Sequence, residues 1–260
     1  MIDSDSHQGL SWDDLPIVQV ENLTVMRGQY PAVKSVSFQL FAGTNTAIIG
    51  PNGAGKSTLI QAILGLISYQ SGCVKILGKK VANLGKSWSE IGYIPQLFPF
   101  DRSFPLTVFE LVCLAYGKPS FRLGKNDQQI VTKMIEQVGL GHCQKQAIGS
   151  LSGGQLKRVL LAYNLVVPRK LLVLDEAMAG VDASGEDEFA KLLTQLQKEQ
   201  GFTILQVSHD LDMVSNYCDQ VICINQHLLC HGQPQYTLSP ENLNIIYGAN
   251  LRRYFHHHVS

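Results

Sequence analysis

Apolar and polar positions begin to alternate after Pro16. Ile17, Val18 and the stretch from Val20 to Val25, then Val36, Phe38 and Leu40, follow the period of short half-buried strands with a turn between them. An antiparallel β layer is expected there. "TNTAIIG" is different, an apolar strand ending in Gly50 that runs straight into "GPNGAGKST" and then into Leu59, Ile60, Ile63, Leu64 and Ile67, spaced as one face of a helix. Leu171 to Leu174 form a continuous apolar run, which reads as a parallel strand buried on both faces. A helix is expected over Gln155 to Val167, ended by Pro168, and another where Phe189, Leu192, Leu193 and Leu196 recur on one face. Residues 1 to about 16, with Asp3, Asp5, Asp13 and Asp14 among serines, lack periodicity and predict a loose leader.

Composition narrows the class without naming a function. The chain has 260 residues, 45% of them hydrophobic, enough for one large domain or a domain with a subdomain. Lys plus Arg equals Asp plus Glu at 21 each, so no global field argues for nucleic acid or an anionic membrane surface. No apolar run approaches the roughly 18–20 residues of a spanning helix, and the start is acidic where a signal peptide is basic, so a soluble chain is expected. The six cysteines are scattered through apolar runs of a chain too long to need a disulfide framework, which points to a reducing setting. Cys218, Cys223, Cys230 and His231 fit no closed zinc spacing, and buried structural thiols are the expectation.

The chemistry starts at the strand, glycine loop and helix around Gly50. Gly50, Gly55, Lys56 and Ser57 satisfy G-x-x-x-x-G-K-[ST] in the strand-to-helix context that gives this pattern its meaning. Glycines let backbone N–H groups turn inward around phosphate oxygens, and the helix N-terminus adds about half a positive charge. The expected cradle comprises Gly50, Pro51, Asn52, Gly53, Ala54, Gly55, Lys56, Ser57 and Thr58, with Lys56 on the β- and γ-phosphates and the Ser57 hydroxyl on Mg²⁺. A dinucleotide reading fails, because Gly53 and Gly55 form G-x-G but Thr58 stands where the third glycine belongs. The nucleotide is expected to be a triphosphate, ATP. Asp175 at the end of the buried strand is placed to hold Mg²⁺, and Glu176 to orient or deprotonate an attacking water, so the pair predicts hydrolysis. Upstream, "LSGGQ" places Ser152 as a helix N-cap.

In this order the phosphate loop, "LSGGQ" and Asp175-Glu176 resemble the ATP-binding cassette (ABC) ATPase family, and the resemblance runs over nearly the whole chain from about residue 17. It implies an α/β fold, a P-loop NTPase cassette with a RecA-like parallel-sheet core, an antiparallel β layer and a helical subdomain at about 97–165. The cassette would cover 17–235, with a C-terminal helix and histidine-containing tail over 236–260. Gln96 in "YIPQ" matches the family's Q-loop, Asp182 in "AGVD" its D-loop, and His209 in "VSHD" its switch histidine. The resemblance makes Glu176, His209 and Gln96 catalytic and Ser57, Gln96 and Asp175 the Mg²⁺ ligands. It also implies an ATP-dependent homodimer in which each ATP lies between one subunit's phosphate loop and the other's Ser152, Gly153, Gly154 and Gln155, with Asp182 alongside. Three positions depart from the pattern: Arg27, with Tyr30 nearby, stands where an aromatic residue stacks on adenine, Ala177 replaces a proline, and Tyr163 replaces an arginine.

"FPLTV" after "YIPQ" is similar to importers of zinc, manganese and related metals, and "CINQHLLCHGQP", "SPENL", "IYG" and the tail histidines His256, His257 and His258 look like bacterial zinc-import ATPases. The implied partners are integral-membrane permease subunits and, indirectly, an extracytoplasmic metal-binding protein. The implied location is peripheral, at the cytoplasmic face of the cell membrane. The competing class is a manganese or iron importer ATPase, or a soluble ABC ATPase such as a cluster-assembly factor.

Overall fold

The computed structural model describes residues 15–176 and 183–248. In chain order its strands and α-helices are β1 (Val18–Arg27), β2 (Tyr30–Leu40), β3 (Asn45–Ile49), α1 (Lys56–Ile63), β4 (Ser71–Ile76), β5 (Lys79–Lys80) and β6 (Ile91–Ile94), then α2 (Val108–Cys113), α3 (Lys125–Gln137), α4 (Gly153–Leu165) and β7 (Leu171–Leu174), and finally α5 (Ala183–Gln200), β8 (Thr203–Val207), α6 (Leu211–Tyr217), β9 (Gln220–Asn225), β10 (His227–Gly232), α7 (Pro234–Thr237) and α8 (Pro240–Tyr247).

Two sheets carry the architecture. One is antiparallel, in the order β2-β1-β4-β5, and the other runs β10-β9-β3-β8-β7-β6. Within the second, β9, β3, β8, β7 and β6 pair in parallel, and β10 joins β9 antiparallel at one edge. This is the expected α/β arrangement, a parallel core with an antiparallel layer and helices. The inner parallel strands are buried on both faces, which is why Leu171–Leu174 and Ala47–Ile49 read as unbroken apolar runs. One face packs with α1 against the antiparallel sheet through Val18, Leu23, Leu59, Ile60, Val173 and Ile222. The other face packs under α4 and α5, with Leu172, Leu174, Val159, Leu161, Phe189 and Leu193 in one cluster that also takes in Val131 and Ile135 of α3.

Two local expectations are revised. The helix after "LSGGQ" starts at Gly153, two residues before Gln155, and ends at Leu165. A capping box sets that start: Ser152 Oγ accepts from Gln155 N at 3.2 Å, and Gln155 Oε1 accepts from Ser152 N at 3.0 Å. Cys223 and Cys230 are not separate thiols but form a disulfide. They are register partners across the β9–β10 hairpin with Cα atoms 5.0 Å apart, a proximity that their spacing of seven residues does not announce. Cys73, Cys113, Cys143 and Cys218 are free, and of these Cys113, Cys143 and Cys218 are buried as expected. Ala177, Asp182 and the histidines at 256–258 lie outside the described residues.

Candidate nucleotide-binding site

Sheet order assembles the site. The glycine loop follows β3, Gln96 follows β6, Asp175 and Glu176 follow β7, and His209 follows β8, so all leave the carboxyl ends of parallel strands that lie side by side as β3-β8-β7-β6. Loops at that end of a parallel sheet converge on one crevice. Gln96 and His209, 80 and 33 residues from Glu176 in sequence, both meet its carboxylate there through hydrogen bonds.

The loop's shape depends on glycine at two positions. Gly55 caps α1 in the left-handed region at φ +93°, and a Cβ there would sit 2.2 Å from the Ala32 carbonyl oxygen. A Cβ on Gly50 would sit 2.1 Å from the Ile224 carbonyl oxygen. The β9–β10 turn also braces the loop, because Gln226 N donates to Ala54 O at 2.9 Å while Lys34 N donates to Gln226 O at 2.7 Å. Spacing along the chain carried no sign of this brace. No acidic side chain occupies the first turn of α1, whose N-terminal N–H groups face the loop.

Lys56 is nearly buried, and its Nζ donates to the carbonyls of Gly50 at 2.8 Å and Pro51 at 3.1 Å. Burial holds its pKa below the ordinary ammonium range, against the opposing charges of Glu176 and Asp175. Asp175 is 2% exposed and accepts from Ser57 Oγ at 2.9 Å. Burial raises its pKa above the usual carboxylate range, and the Ser57 hydrogen bond partly offsets that. Glu176 takes a positive φ of 48°, and its two carboxylate oxygens are held by Gln96 Nε2 and, at 2.6 Å, by His209 Nε2. A strained backbone at a partly buried carboxylate is common where chemistry is done.

A cavity of about 330 Å³ is lined by residues 52–58 of the loop, together with Arg27, Ala32 and Glu176. Its size falls in the range of small-molecule sites. Ser57 Oγ and Asp175 Oδ1 supply adjacent hard oxygen donors, and Gln96 stands beside them through Glu176, a set that suits Mg²⁺. Ser152, Gly153, Gly154 and Gln155 are not part of this cavity's lining. Gly153 faces open space, with nothing within 4 Å of an added Cβ, so the start of α4 is presented outward. Tyr163, on the same helix, packs against the cluster beneath α4. Tyr30 is 79% exposed and does not line the cavity, whereas Arg27 does.

Sequence reasoning missed Gln61. Its Oε1 accepts from Arg27 Nη2 at 2.8 Å. The only available signal was a polar residue one turn past Ser57, inside the apolar run Leu59–Ile63.

Comparison with known proteins agrees with this geometry. The family described as "ABC transporter" matches residues 33–179. The manganese transport system ATP-binding protein MntB of Halalkalibacterium halodurans is 40% identical, over 91% of this chain and 94% of its own length. The zinc import ATP-binding protein ZnuC of Saccharophagus degradans is 34% identical, over 94% of this chain and 90% of its own. Among solved structures, cbiO1 of Clostridium perfringens, described as part of the ABC transporter complex cbiONQ, superposes with a TM-score of 0.75 at 31% identity, covering 93% of this chain and 98% of that one.

Proposed function

The chain belongs to the ABC transporter family as an ATP-binding, ATP-hydrolysing subunit, and on that premise we propose that it energises uptake of a divalent metal through separate membrane subunits. Zinc is the cargo we favour, on the resemblance carried by "CINQHLLCHGQP", "SPENL" and the tail histidines and on the 34% relative named for zinc import. Manganese is the second reading, because the relative named for manganese transport is 40% identical over 91% of the chain.

The observation that carries the mechanism is the convergence of Gln96 and His209 on Glu176 beside the phosphate loop. Backbone N–H groups of residues 53–58 and Lys56 bind the triphosphate and spread its charge. Ser57, Asp175 and Gln96 would hold Mg²⁺, which when bound neutralises phosphate charge. Glu176 orients and deprotonates the attacking water, His209 sits within reach of the carboxylate to hold it or to contact the γ-phosphate, and Gln96 reports on the same point.

The outward-facing start of α4 suits a second copy of the chain, whose Ser152, Gly153, Gly154 and Gln155 would close on the ATP from across a homodimer, with Asp182 nearby. ATP then joins the two copies, and hydrolysis separates them. For a membrane subunit, the segment after Gln96 offers apolar surface, since Leu97 is 78% exposed and Phe98 and Phe104 are also exposed. Among the described residues no helix is long and apolar enough to cross a membrane, so the spanning subunits are separate chains in this reading and the cassette sits at the cytoplasmic face. An extracytoplasmic metal-binding protein would deliver cargo without touching it.

Total cellular zinc, manganese and iron under metal limitation, compared between cells carrying this chain and its Glu176→Gln variant, test the proposal. A selective fall in zinc supports zinc uptake, and a fall in manganese or iron moves the cargo. Unchanged metals would overturn the transport reading in favour of a soluble ATPase.

A further inference from the structure

Among the described residues the Cys223–Cys230 disulfide is the only covalent cross-link, and it lies against the phosphate loop. Cys223 is the register partner of Ile49 on β3, one residue before Gly50. The next residue, Ile224, brings its carbonyl so close to Gly50 that an added Cβ would sit 2.1 Å away. At the hairpin tip, Gln226 donates from its N–H to Ala54 O at 2.9 Å and accepts from Lys34 N at 2.7 Å. The backbone of one residue thus ties the loop to β2. Gln226 takes a φ of +60°, a left-handed conformation that a glutamine keeps only while its surroundings hold it. Those surroundings are narrow. β10 is an edge strand that pairs with β9 alone, and its register shifts between Leu228 and Cys230, so the ladder is interrupted beside the tip. The disulfide closes the hairpin at that interruption.

We propose that Cys223–Cys230 is a reversible redox-modification site, reacting with dithiols and disulfides, whose state sets how tightly the phosphate loop holds nucleotide, the disulfide form binding more tightly; this rests on the reading of the loop as a nucleoside-triphosphate site. Cys223 is fully buried whereas Cys230 is partly exposed, so a reductant thiolate reaches the Sγ of Cys230. The S–S bond breaks, a mixed disulfide forms on Cys230, and the Cys223 Sγ leaves with the electron pair and takes a proton. The reductant's second thiolate then closes its own disulfide and releases Cys230, which is protonated in turn. Two electrons pass from reductant to protein. Oxidised glutathione restores the bridge, taking up the two electrons and leaving as two thiols. The Cys223 thiolate is expelled into a cluster with Ala47, Ile49, Val214 and Val221, so exchange is slow until the edge strand opens. With the bridge open, the tip samples arrangements in which Gln226 N no longer meets Ala54 O, and the loop has to be ordered when nucleotide binds. Once nucleotide is seated the cradle is the same, so turnover at saturation is not affected.

The test measures calorimetric Kd for a non-hydrolysable ATP analogue on the full chain before and after dithiothreitol, with thiol alkylation reporting the state of the bridge. Reduction should raise Kd about fivefold and leave kcat at saturation within about twofold. It should also speed hydrogen exchange at the amides of Gln226 and Lys34, the two donors of the tie. Oxidised glutathione should reverse both effects. Cys223→Ala combined with Cys230→Ala should bind like the reduced chain with or without reductant, and Cys230→Ser alone, at the partly exposed position, makes the same comparison if the pair variant does not fold. A Kd that agrees within about twofold between bridged and opened chains would overturn the inference and leave the nucleotide site intact. A bridge that never forms, or that dithiothreitol does not open in the folded chain, would overturn it too. A response to reductant that survives in the variants would move the effect to another cysteine. A chain that binds the analogue in neither state would instead overturn the nucleotide site itself.

Discussion

His209 Nε2 lies 2.6 Å from Glu176 Oε1, and the second carboxylate oxygen of Glu176 accepts from Gln96 Nε2. The three residues follow β8, β7 and β6, neighbours in the sheet, so the carboxylate is gripped from both sides. A general base held this way is well oriented, and each oxygen keeps a second lone pair with which to take a proton from water.

Glu176→Gln should therefore retain nucleotide affinity and lose turnover by about 10²–10⁴-fold, since the amide keeps the shape but not the basicity. Steady-state hydrolysis and calorimetric ATP binding measure the two halves separately. Sedimentation of this variant with ATP should show a dimer that the wild type does not accumulate. A variant that hydrolyses ATP at the normal rate would remove Glu176 from the role of base.

His209→Ala leaves Glu176 with Gln96 alone. The expected result is a fall in kcat of about 10–100-fold with ATP Kd unchanged within about twofold, because His209 does not line the phosphate cavity. An equal loss in Kd would mean that His209 shapes the resting site and has no part in turnover.

Asp175 gives a pH prediction with a definite sign. Burial raises its pKa in the fold above the usual 3.8, so the stability tied to its protonated form is present below pH 3.8 and lost as pH rises through the raised value. Asp175→Asn keeps an oxygen for Ser57 and carries no charge. Its Tm without nucleotide should exceed wild type by about 2–4 °C at neutral pH, with the gap closing in acid, while Mg²⁺-dependent hydrolysis is lost. Calorimetric scans across the acid range check both, and a variant less stable than wild type at neutral pH would contradict the burial argument.

The cysteines separate by alkylation. Burial pushes the Cys113 thiol up to about 11 and the Cys218 thiol up to about 12, so neither forms thiolate near neutrality. Iodoacetamide on the folded, unreduced chain should label the half-buried Cys73 first, unfolding should expose four thiols, and reduction should raise the count to six. Six thiols without reductant would mean that Cys223 and Cys230 stay reduced.

Phe104→Asp addresses the apolar surface beyond Gln96. It should abolish co-purification of a membrane subunit and leave nucleotide Kd within about twofold, because Phe104 is exposed and away from the cavity lining. Unchanged recovery of the membrane subunit would place docking elsewhere.

What was readable in the chain is what depends on neighbours in sequence. Gly50, Gly55, Lys56 and Ser57 identified an anion loop because the strand, turn and helix that build it are contiguous, and Ser152 announced a helix start because an N-cap acts within one turn, although the helix begins at Gly153 and not at the expected Gln155. Leu171–Leu174 announced a doubly buried strand by its unbroken apolar run, which placed Asp175 and Glu176 at its end. Such signals are local hydrogen bonding and local burial, and they need no knowledge of strand order. The grip on Glu176, the Arg27–Gln61 hydrogen bond, the Gln226 brace on Ala54 and the Cys223–Cys230 pair were decided by the tertiary structure alone. Each joins segments whose proximity follows from the order β9-β3-β8-β7-β6, from a helix laid across a second sheet, or from the register of a hairpin, and none of these is encoded in residue spacing.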